Sequence, residues 1–493
     1  MEKKPQSGMS GPRDDKGGKK IIPNRVPARE LDPRERRLNF EEVNLGYDAG
    51  QAVREAGRCL NCRKRPCVAG CPVGVPIPDF IASVSRGDFA GAYRIIRSAN
   101  ALPAVCGRVC PQETQCEGVC TVGRKHEAVA IGRLERFVAD WRMKEQGAAR
   151  TQKSPRKSGA PETPDGAGGR VAVVGSGPAG ITCAYDLAQL GHKVTIFEAL
   201  HEPGGVLFYG IPEFRLPKSI VAREMDNLKD MGVLIKTNAV IGRLLGLGEL
   251  TEQFDAVFIG TGAGLPRFQG IPGEDLNGVY SANEFLTRTN LMRAYRFPAY
   301  DTPIKAGRRV AVIGGGNVAM DAARTAIRLG AESVTLVYRR GEAELPARAE
   351  EVRHAKEEGL LFEMCTLPVE ITGDDGYVSG LKCLRMSLCE PGPGDLPGRK
   401  VPKPISGSEF SIPADTVIVA IGTSANPLLT GSARGLRLRR GYIETDDTCA
   451  TSLRGVFAGG DIVTGSGLTV SAAMGAGRKA AKAIHEYVVS KKG

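Results

Sequence analysis

Aromatic residues are scarce in this 493-residue chain: they make up 5% of it, with a single tryptophan, Trp141. That shortage removes the usual grip on single-stranded nucleic acid, in which rings are interleaved among cations. Lys and Arg outnumber Asp and Glu by 67 to 55, a formal charge of +12, but the cations are scattered instead of gathered into a stripe. They read as a solvated basic surface able to meet an acidic protein partner or polyanionic cofactors, and no nucleic acid is expected. Long apolar runs are also missing. Nowhere are there the roughly 18 to 20 uninterrupted apolar residues that cross a bilayer, and Met1-Glu2-Lys3-Lys4 leads into Pro, Gly and charge instead of an apolar leader. No membrane partner and a cytoplasmic location are expected.

Glycine and cysteine are abundant. The 63 glycines show no collagen period and point to tight turns of the kind that bind nucleotides. Of 13 cysteines, eight fall between Cys59 and Cys120, and Cys183, Cys365, Cys383, Cys389 and Cys449 are dispersed. In a reducing compartment such a cluster means metal or catalysis before disulfides.

Residues 1–38, rich in Lys, Arg, Pro and Gly, read as a flexible basic arm, mobile or loosely docked. Residues 39–147 form a small helical domain around the cysteines, with apolar residues at three and four spacing in Asp79–Ser98 and Ala128–Gln146. Residues 148–169 have linker composition. Beyond them Arg170-Val-Ala-Val-Val-Gly175 is echoed by Arg309-Val-Ala-Val-Ile-Gly314, and Phe254-Asp-Ala-Val-Phe-Ile-Gly-Thr-Gly262 by Ala414-Asp-Thr-Val-Ile-Val-Ala-Ile-Gly-Thr423. Two doubly wound α/β units follow, one interrupting the other: 170–305 with 412–493, and 306–411. The expected architecture is two Rossmann-like dinucleotide-binding domains preceded by an α-helical iron-sulfur domain.

Gly175-Ser-Gly177-Pro178-Ala179-Gly180 fits G-x-G-x-x-G between a strand and an apolar helix, so the helix N-terminus faces a pyrophosphate. A second strand, Val194–Phe197, ends in Glu198, about 20 residues on, where a carboxylate accepts both adenosine-ribose hydroxyls. Glu198 repels a 2′-phosphate, which leaves FAD or NAD; Gly204-Gly205 and the tail Gly455-Val-Phe-Ala-Gly-Gly460-Asp461 favour FAD. That tail resembles the one in two-dinucleotide flavoprotein reductases. The resemblance implies that Asp461 binds the ribityl chain and that Thr469 and Val470 open a helix facing the isoalloxazine ring.

In the second loop, Gly314-Gly-Gly316-Asn317-Val-Ala319, alanine replaces the third glycine, as the fingerprint allows. The strand after it ends in Tyr338-Arg339-Arg340, with no carboxylate. Two guanidinium groups suit a 2′-phosphate, so NADPH is preferred here.

The cysteine runs are Cys59-x2-Cys62-x4-Cys67-x3-Cys71-Pro72 and Cys106-x3-Cys110-x5-Cys116-x3-Cys120. The first is related to the bacterial ferredoxin run, in which the cysteine before proline reaches a second [4Fe-4S] cluster, here Cys71. Two tetrahedral zinc sites would use eight thiolates equally well, but zinc carries no electrons, whereas NADPH beside a flavin makes a two-electron donor that needs one-electron acceptors. A disulfide-reductase reading is disfavoured because no C-x-x-C pair occurs beyond the cluster domain, and an iron-sulfur scaffold or zinc interaction module with vestigial dinucleotide folds is the reading of another class.

From Cys106-Gly-Arg-Val-Cys110-Pro-Gln-Glu, Tyr209-Gly-Ile-Pro-Glu-Phe-Arg-Leu-Pro-Lys218 and the order of segments, the chain resembles the small (β) subunit of NADPH-dependent glutamate synthase. Related modules occur in dihydropyrimidine dehydrogenase and in the large subunit of NADH-dependent ferredoxin:NADP oxidoreductase. The resemblance implies one cluster on Cys59, Cys62, Cys67 and Cys120 and another on Cys71, Cys110, Cys116 and an eighth ligand. That ligand is Glu135 by resemblance and Cys106 by cysteine count. The implied activity passes electrons from NADPH through FAD and two [4Fe-4S] clusters to a partner, with no side-chain acid or base in the main step. The implied partner is the glutamate synthase large (alpha) subunit, which would hold the glutamine amidotransferase and FMN sites, or else a ferredoxin-reductase-like small subunit of an electron-bifurcating transhydrogenase or sulfide dehydrogenase.

Overall fold

The computed structural model describes residues 22–151, 168–392 and 399–492. Residues 1–21 of the expected arm and 152–167 of the expected linker lie outside the described residues. Among the described residues no helix is long and apolar enough to cross a membrane.

The leading domain is helical where apolar spacing predicts helices. The stretch Asp79–Ser98 resolves into two, Ile77–Ser85 and Phe89–Arg97. Gly87 turns the chain between them at φ 78°, and Asp88 caps the second by accepting from the Gly91 amide at 2.8 Å. The stretch Ala128–Gln146 falls in one helix, Ile131–Thr151. Phe80, Ile81, Ile96 and Leu134 are fully buried, and their core runs without a break into Val171, Ile181, Met474 and Ile484 of the next unit. The helical domain is therefore fused to its neighbour by shared apolar burial.

Two five-stranded parallel sheets follow. The first has the order Val456–Ala458, Ala256–Ile259, Arg170–Val174, Lys193–Phe197, Leu234–Lys236; the second has Leu361–Met364, Ser333–Tyr338, Arg309–Ile313, Thr416–Val419, Val279–Ser281. In each, the strand leading into a glycine loop is flanked by a member of the other echoed pair, Ala256–Ile259 or Thr416–Val419, and both of these are fully buried, as parallel sheets require. The expected boundaries need correction here. Val279–Ser281, assigned to 170–305, and Thr416–Val419, assigned to 412–493, both belong to the second sheet. Sheet neighbours are chosen by burial and hydrogen bonding, so the second unit draws strands from both flanks of 306–411. It also carries an antiparallel sheet built on the long strand Tyr377–Cys389.

The second unit has its own apolar cores and meets the rest of the molecule largely through charge. Arg215 reaches Asp321 at 2.6 Å and Glu351 at 3.1 Å. Phe214 lies under the guanidinium groups of Arg324 and Arg328, 4.7 and 3.9 Å from its ring centroid. Arg348 donates to the Arg108 carbonyl at 2.8 Å and to Gln112 at 3.0 Å in the cysteine domain. The described part of the arm belongs to this network, which corrects the expectation of a loosely held segment: Arg36 is 1% exposed and pairs with Glu358 at 2.9 Å and Glu357 at 2.6 Å.

Glu358 also accepts from Arg324 and Arg328 at 2.7 Å each, and its side chain is wholly buried. Removing it takes a carboxylate from three buried guanidinium groups and leaves Arg328 without an ion-pair partner among the described residues. Glu358→Ala should therefore destabilise the protein by about 3–5 kcal/mol, read as a fall in the urea midpoint against Glu357→Ala, whose carboxylate is a third exposed and which should lose about 1 kcal/mol or less.

Candidate functional site

The first glycine loop is built by close backbone approach. Gly175 sits at φ 98°, and a Cβ there would fall 2.6 Å from the Gly260 carbonyl oxygen. A Cβ on Gly180 would fall 2.0 Å from the Gly175 oxygen, and one on Gly205 2.8 Å from the Gly177 Cα, so the Gly204-Gly205 turn packs onto the loop. Gly177, which precedes the helix Pro178–Gln189, has nothing within 4 Å of an added Cβ; its face is open.

Glu198 ends the strand Lys193–Phe197 and is nearly buried. Its carboxylate accepts from the Ser176 amide at 3.0 Å, from the Ser176 hydroxyl, and from the Leu200 amide at 2.9 Å, and the Ser176 hydroxyl in turn accepts from the Gly204 amide at 2.8 Å. Loop, acid and Gly204 form one unit. Asp461 lies across from them, and its buried Oδ1 has no hydrogen-bond partner among the described residues. Burial raises its carboxyl above the usual range. A buried acceptor without a donor costs stability unless a ligand supplies one, and a ribityl hydroxyl would do so. Sequence reasoning did not single out Tyr209 in this cleft: burial first, then the carboxylates of Glu198 and Asp461, push its phenol up to about 12. Thr469 caps the C-terminal helix Val470–Lys492, its hydroxyl accepting from the Ala472 amide at 3.2 Å. Gly460 lies against the first turn of that helix, where an added Cβ would be 3.5 Å from that of Ala473.

The second loop repeats the design. An added Cβ on Gly314 would fall 2.4 Å from the Ala420 oxygen, the residue after the echo strand, while Gly316 is open. Asn317 begins the helix Asn317–Arg328 and accepts from the Arg348 amide at 3.0 Å; Ala319 is fully buried beneath it. Arg339 is exposed and Arg340 half-buried at the end of Ser333–Tyr338. Arg340 donates to the Lys400 carbonyl at 3.1 Å, and Arg399 reaches the Tyr338 hydroxyl at 3.5 Å. The strand pair Tyr377–Cys389 and Val401–Pro404 thus adds cations that no local motif announced.

The eight clustered thiols separate into two groups. Burial, then Cys59 and Cys120, push the Cys67 thiol up to about 11, and the Cys62 sulfur lies 3.3 Å from the Thr121 hydroxyl beside Cys120. These four are half-buried. Cys71 is raised by burial, with Glu135 and Cys110 among its neighbours, and Cys116 by burial with Glu117, Cys71, Glu135 and Cys110. Burial pushes Glu135 itself up to about 7. Cys106 is buried, with its sulfur 3.4 Å from that of Met474. Among the described residues no three of these sulfurs lie within 4.8 Å of one another, whereas tetrahedral zinc with bonds of about 2.3 Å would gather its sulfurs to within ~3.8 Å. Thiols gathered in sets of this kind are the donors that iron-sulfur groups take.

The C-terminal helix joins the sites. Ser471 and the side-chain amide of Gln115, next to Cys116, exchange hydrogen bonds at 2.9 and 3.1 Å, and Met474 touches Cys106. The Tyr209–Lys218 stretch contributes Phe214 and Arg215 to the charged seam. Lys218 is held by the Leu216 carbonyl at 2.9 Å and by that of Ile211, and burial lowers its pKa to about 8.

Comparison with known proteins agrees with this geometry. Residues 36–147 match the family described as dihydropyrimidine dehydrogenase domain II, 4Fe-4S cluster, and residues 169–477 match pyridine nucleotide-disulphide oxidoreductase. The chain is 38% identical to the glutamate synthase [NADPH] small chain of Escherichia coli, covering 92% of this chain and 95% of that one. It is 41% identical to the NADP(+)-dependent formate dehydrogenase subunit beta of Moorella thermoacetica, covering 90% of this chain and 64% of that longer one. Mycobacterium tuberculosis FprA, solved in complex with NADPH, shares the fold over 66% of this chain and 86% of its own at TM-score 0.56 and 22% identity. Fold and site thus define an iron-sulfur pyridine-nucleotide oxidoreductase. Within that class, the chain belongs to the glutamate synthase small-chain family.

The open faces yield a test. Gly177→Ala should leave the apoprotein's melting temperature within about 2 °C of wild type, because the methyl meets nothing and φ is −69°, yet obstruct a pyrophosphate and weaken flavin retention at least about tenfold. Gly180→Ala, driven into the Gly175 carbonyl, should lower the melting temperature itself. Thermal scans of both apoproteins with flavin titration check the contrast.

Proposed function

We propose that this chain draws electrons from NADPH and delivers them to a partner chain, with the glutamate synthase large subunit as the partner the family supports best. FAD in the first unit and two [4Fe-4S] groups on the thiols would supply the redox chemistry, hydride acceptance and one-electron transfer. The protein's own residues bind, orient and shield. Gly175, Gly177, Pro178, Ala179 and Gly180 would present helix amides to the FAD pyrophosphate, with Glu198 on the ribose, Gly204 and Gly205 closing the loop, and Gly460 and Asp461 on the ribityl chain. Thr469 and Val470 would present the first turn of the C-terminal helix to the ring. Gly314, Gly316, Asn317 and Ala319 would hold the NADPH pyrophosphate, with Arg339 and Arg340 on its 2′-phosphate. Cys59, Cys62, Cys67 and Cys120 would hold the outer cluster, and Cys71, Cys110, Cys116 and Glu135 the inner one.

One observation carries the reading. The helix whose first turn flanks Gly460 and Asp461 reaches the surroundings of the inner cysteines, Ser471 bonding Gln115 beside Cys116 and Met474 touching Cys106, within about 7 Å along its axis from Thr469 at ~1.5 Å per residue. The outer group is half-buried and ringed by the exposed Leu60, Val119, Arg63, Lys64, Arg124 and Lys125. That surface suits an acidic partner.

Anaerobically prepared protein should contain about eight irons and one flavin per chain and should reduce a dye with NADPH. Colourless, zinc-loaded protein overturns the proposal. The Arg339→Ala, Arg340→Ala double variant should lower the ratio of kcat/KM for NADPH to that for NADH at least about tenfold, the scale of one lost charge-assisted contact, and an unchanged ratio removes the assignment. Copurification from the native host identifies the partner: recovery of a glutamate synthase large chain supports the reading, and recovery of a ferredoxin-reductase-like chain replaces it with the transhydrogenase alternative.

A further inference from the structure

Asn100 lies in the turn between the helices Phe89–Arg97 and Pro103–Val109 and is 1% exposed. Both ends of its amide are committed. Its Nδ2 donates to Glu135 Oε1 at 2.7 Å in a fully buried bond spanning 35 residues. Its Oδ1 accepts from the Leu102 backbone amide at 2.8 Å and faces the Cys106 sulfur at 3.7 Å. The Leu102 N–H can only donate, so it fixes which end of the amide is oxygen and prevents a flip. An N–H is therefore presented to Glu135 and a lone pair to Cys106.

That polarity discriminates between the two candidates for the eighth ligand. An N–H supports a carboxylate that binds a metal group, whereas an amide oxygen offers a metal-bound sulfur no donor. The Cys106 sulfur is also packed against Met474. Glu135 Oε2 takes no hydrogen bond from the described residues, and the Glu135 carboxylate has Cys71 and Cys116 among its neighbours.

We infer that Asn100 is a positioning residue: it directs Glu135 Oε2 at the inner iron-sulfur group and raises the reduction potential of that group by drawing charge from its carboxylate ligand. The inference rests on the reading that Glu135 completes the inner ligand set. Hydrogen bonds to metal ligands tune the metal's potential and hold ligand orientation. Loss of the Nδ2 bond leaves the carboxylate a stronger donor, favours the oxidised group and lowers its midpoint.

The test uses the full chain prepared anaerobically, with EPR-monitored redox titration of both groups. In Asn100→Leu the outer signal stays as in wild type while the inner g-values change and the inner midpoint falls; Asn100→Gln, which restores an amide donor, brings that midpoint back toward wild type. If the leucine variant takes up less iron, Asn100→Asp is the variant to read. It keeps an acceptor for the Leu102 amide and sets a second carboxylate beside Glu135, and it too lowers the inner midpoint. An unmoved inner signal and midpoint in whichever of these holds its full iron overturns the role, as does an equal shift of both groups. Glu135→Ala separates the two levels. An unchanged inner signal there overturns the ligand reading itself, whereas a changed signal there with none in Asn100→Leu removes only the role of Asn100.

Discussion

Everything in this molecule that concerns electron transfer hangs on how closely one helix approaches two neighbours. The segment Val470–Lys492 opens Val-Ser-Ala-Ala-Met-Gly-Ala-Gly, nearly without bulk. An added Cβ at Gly477 would lie 2.2 Å from the Ala179 carbonyl oxygen in the first glycine-loop helix, and one at Gly475 2.5 Å from that of Pro72, next to Cys71. Backbone therefore meets backbone on both sides, and a side chain at either position would widen the gap. Arg478, one residue on, fastens the same helix to the Ala99 carbonyl beside Asn100. Small residues thus draw the two sites together, and Met474 fills the remaining space against Cys106.

The two junctions use opposite physics. The cysteine domain and the first unit share an apolar core, stabilised without directionality. The second unit is joined by buried ion pairs, and Arg215, Asp321, Glu351, Arg324, Glu358 and Arg36 form one chain of contacts. Buried pairs add little net stability against their desolvation cost, but a wrong alignment leaves charges stranded, so they are demanding about orientation. The bidentate fork of arginine adds directional constraint. An interface that must present one bound nucleotide to another gains from that demand.

The glycine loops and the echoed strands were legible because they are local: a positive-φ glycine, a capping helix and a buried run each lie within a few residues. Glu198 was legible as a strand-end acid, and the structure wires it to Ser176 and Gly204. The cysteine spacing was legible as well, and Cys59 and Cys120 neighbour Cys67 while Cys110 neighbours Cys71 and Cys116. Sheet membership was not. Val279–Ser281 and Thr416–Val419 are neighbours of distant strands, and nothing in their own residues states which sheet buries them. The arginine network was also hidden, because a buried Arg36 and an exposed one look alike in a sequence and only a carboxylate 322 residues away distinguishes them. Asn100 and Tyr209 likewise carry no spacing rule; their roles arise from what lies across from them.

The order in which strands enter the first sheet bears on biogenesis. Its edge strand Val456–Ala458 and the helix that roofs the inner cysteines are supplied by the last forty or so residues of the described chain, so a nascent polypeptide leaves the ribosome with its thiols in place but their cover still unsynthesised. The contacts of Ser471 with Gln115 and of Met474 with Cys106 are thus among the last for which both partners exist. A chain truncated before Gly459 would keep all eight clustered cysteines and lose the helix packed beside them.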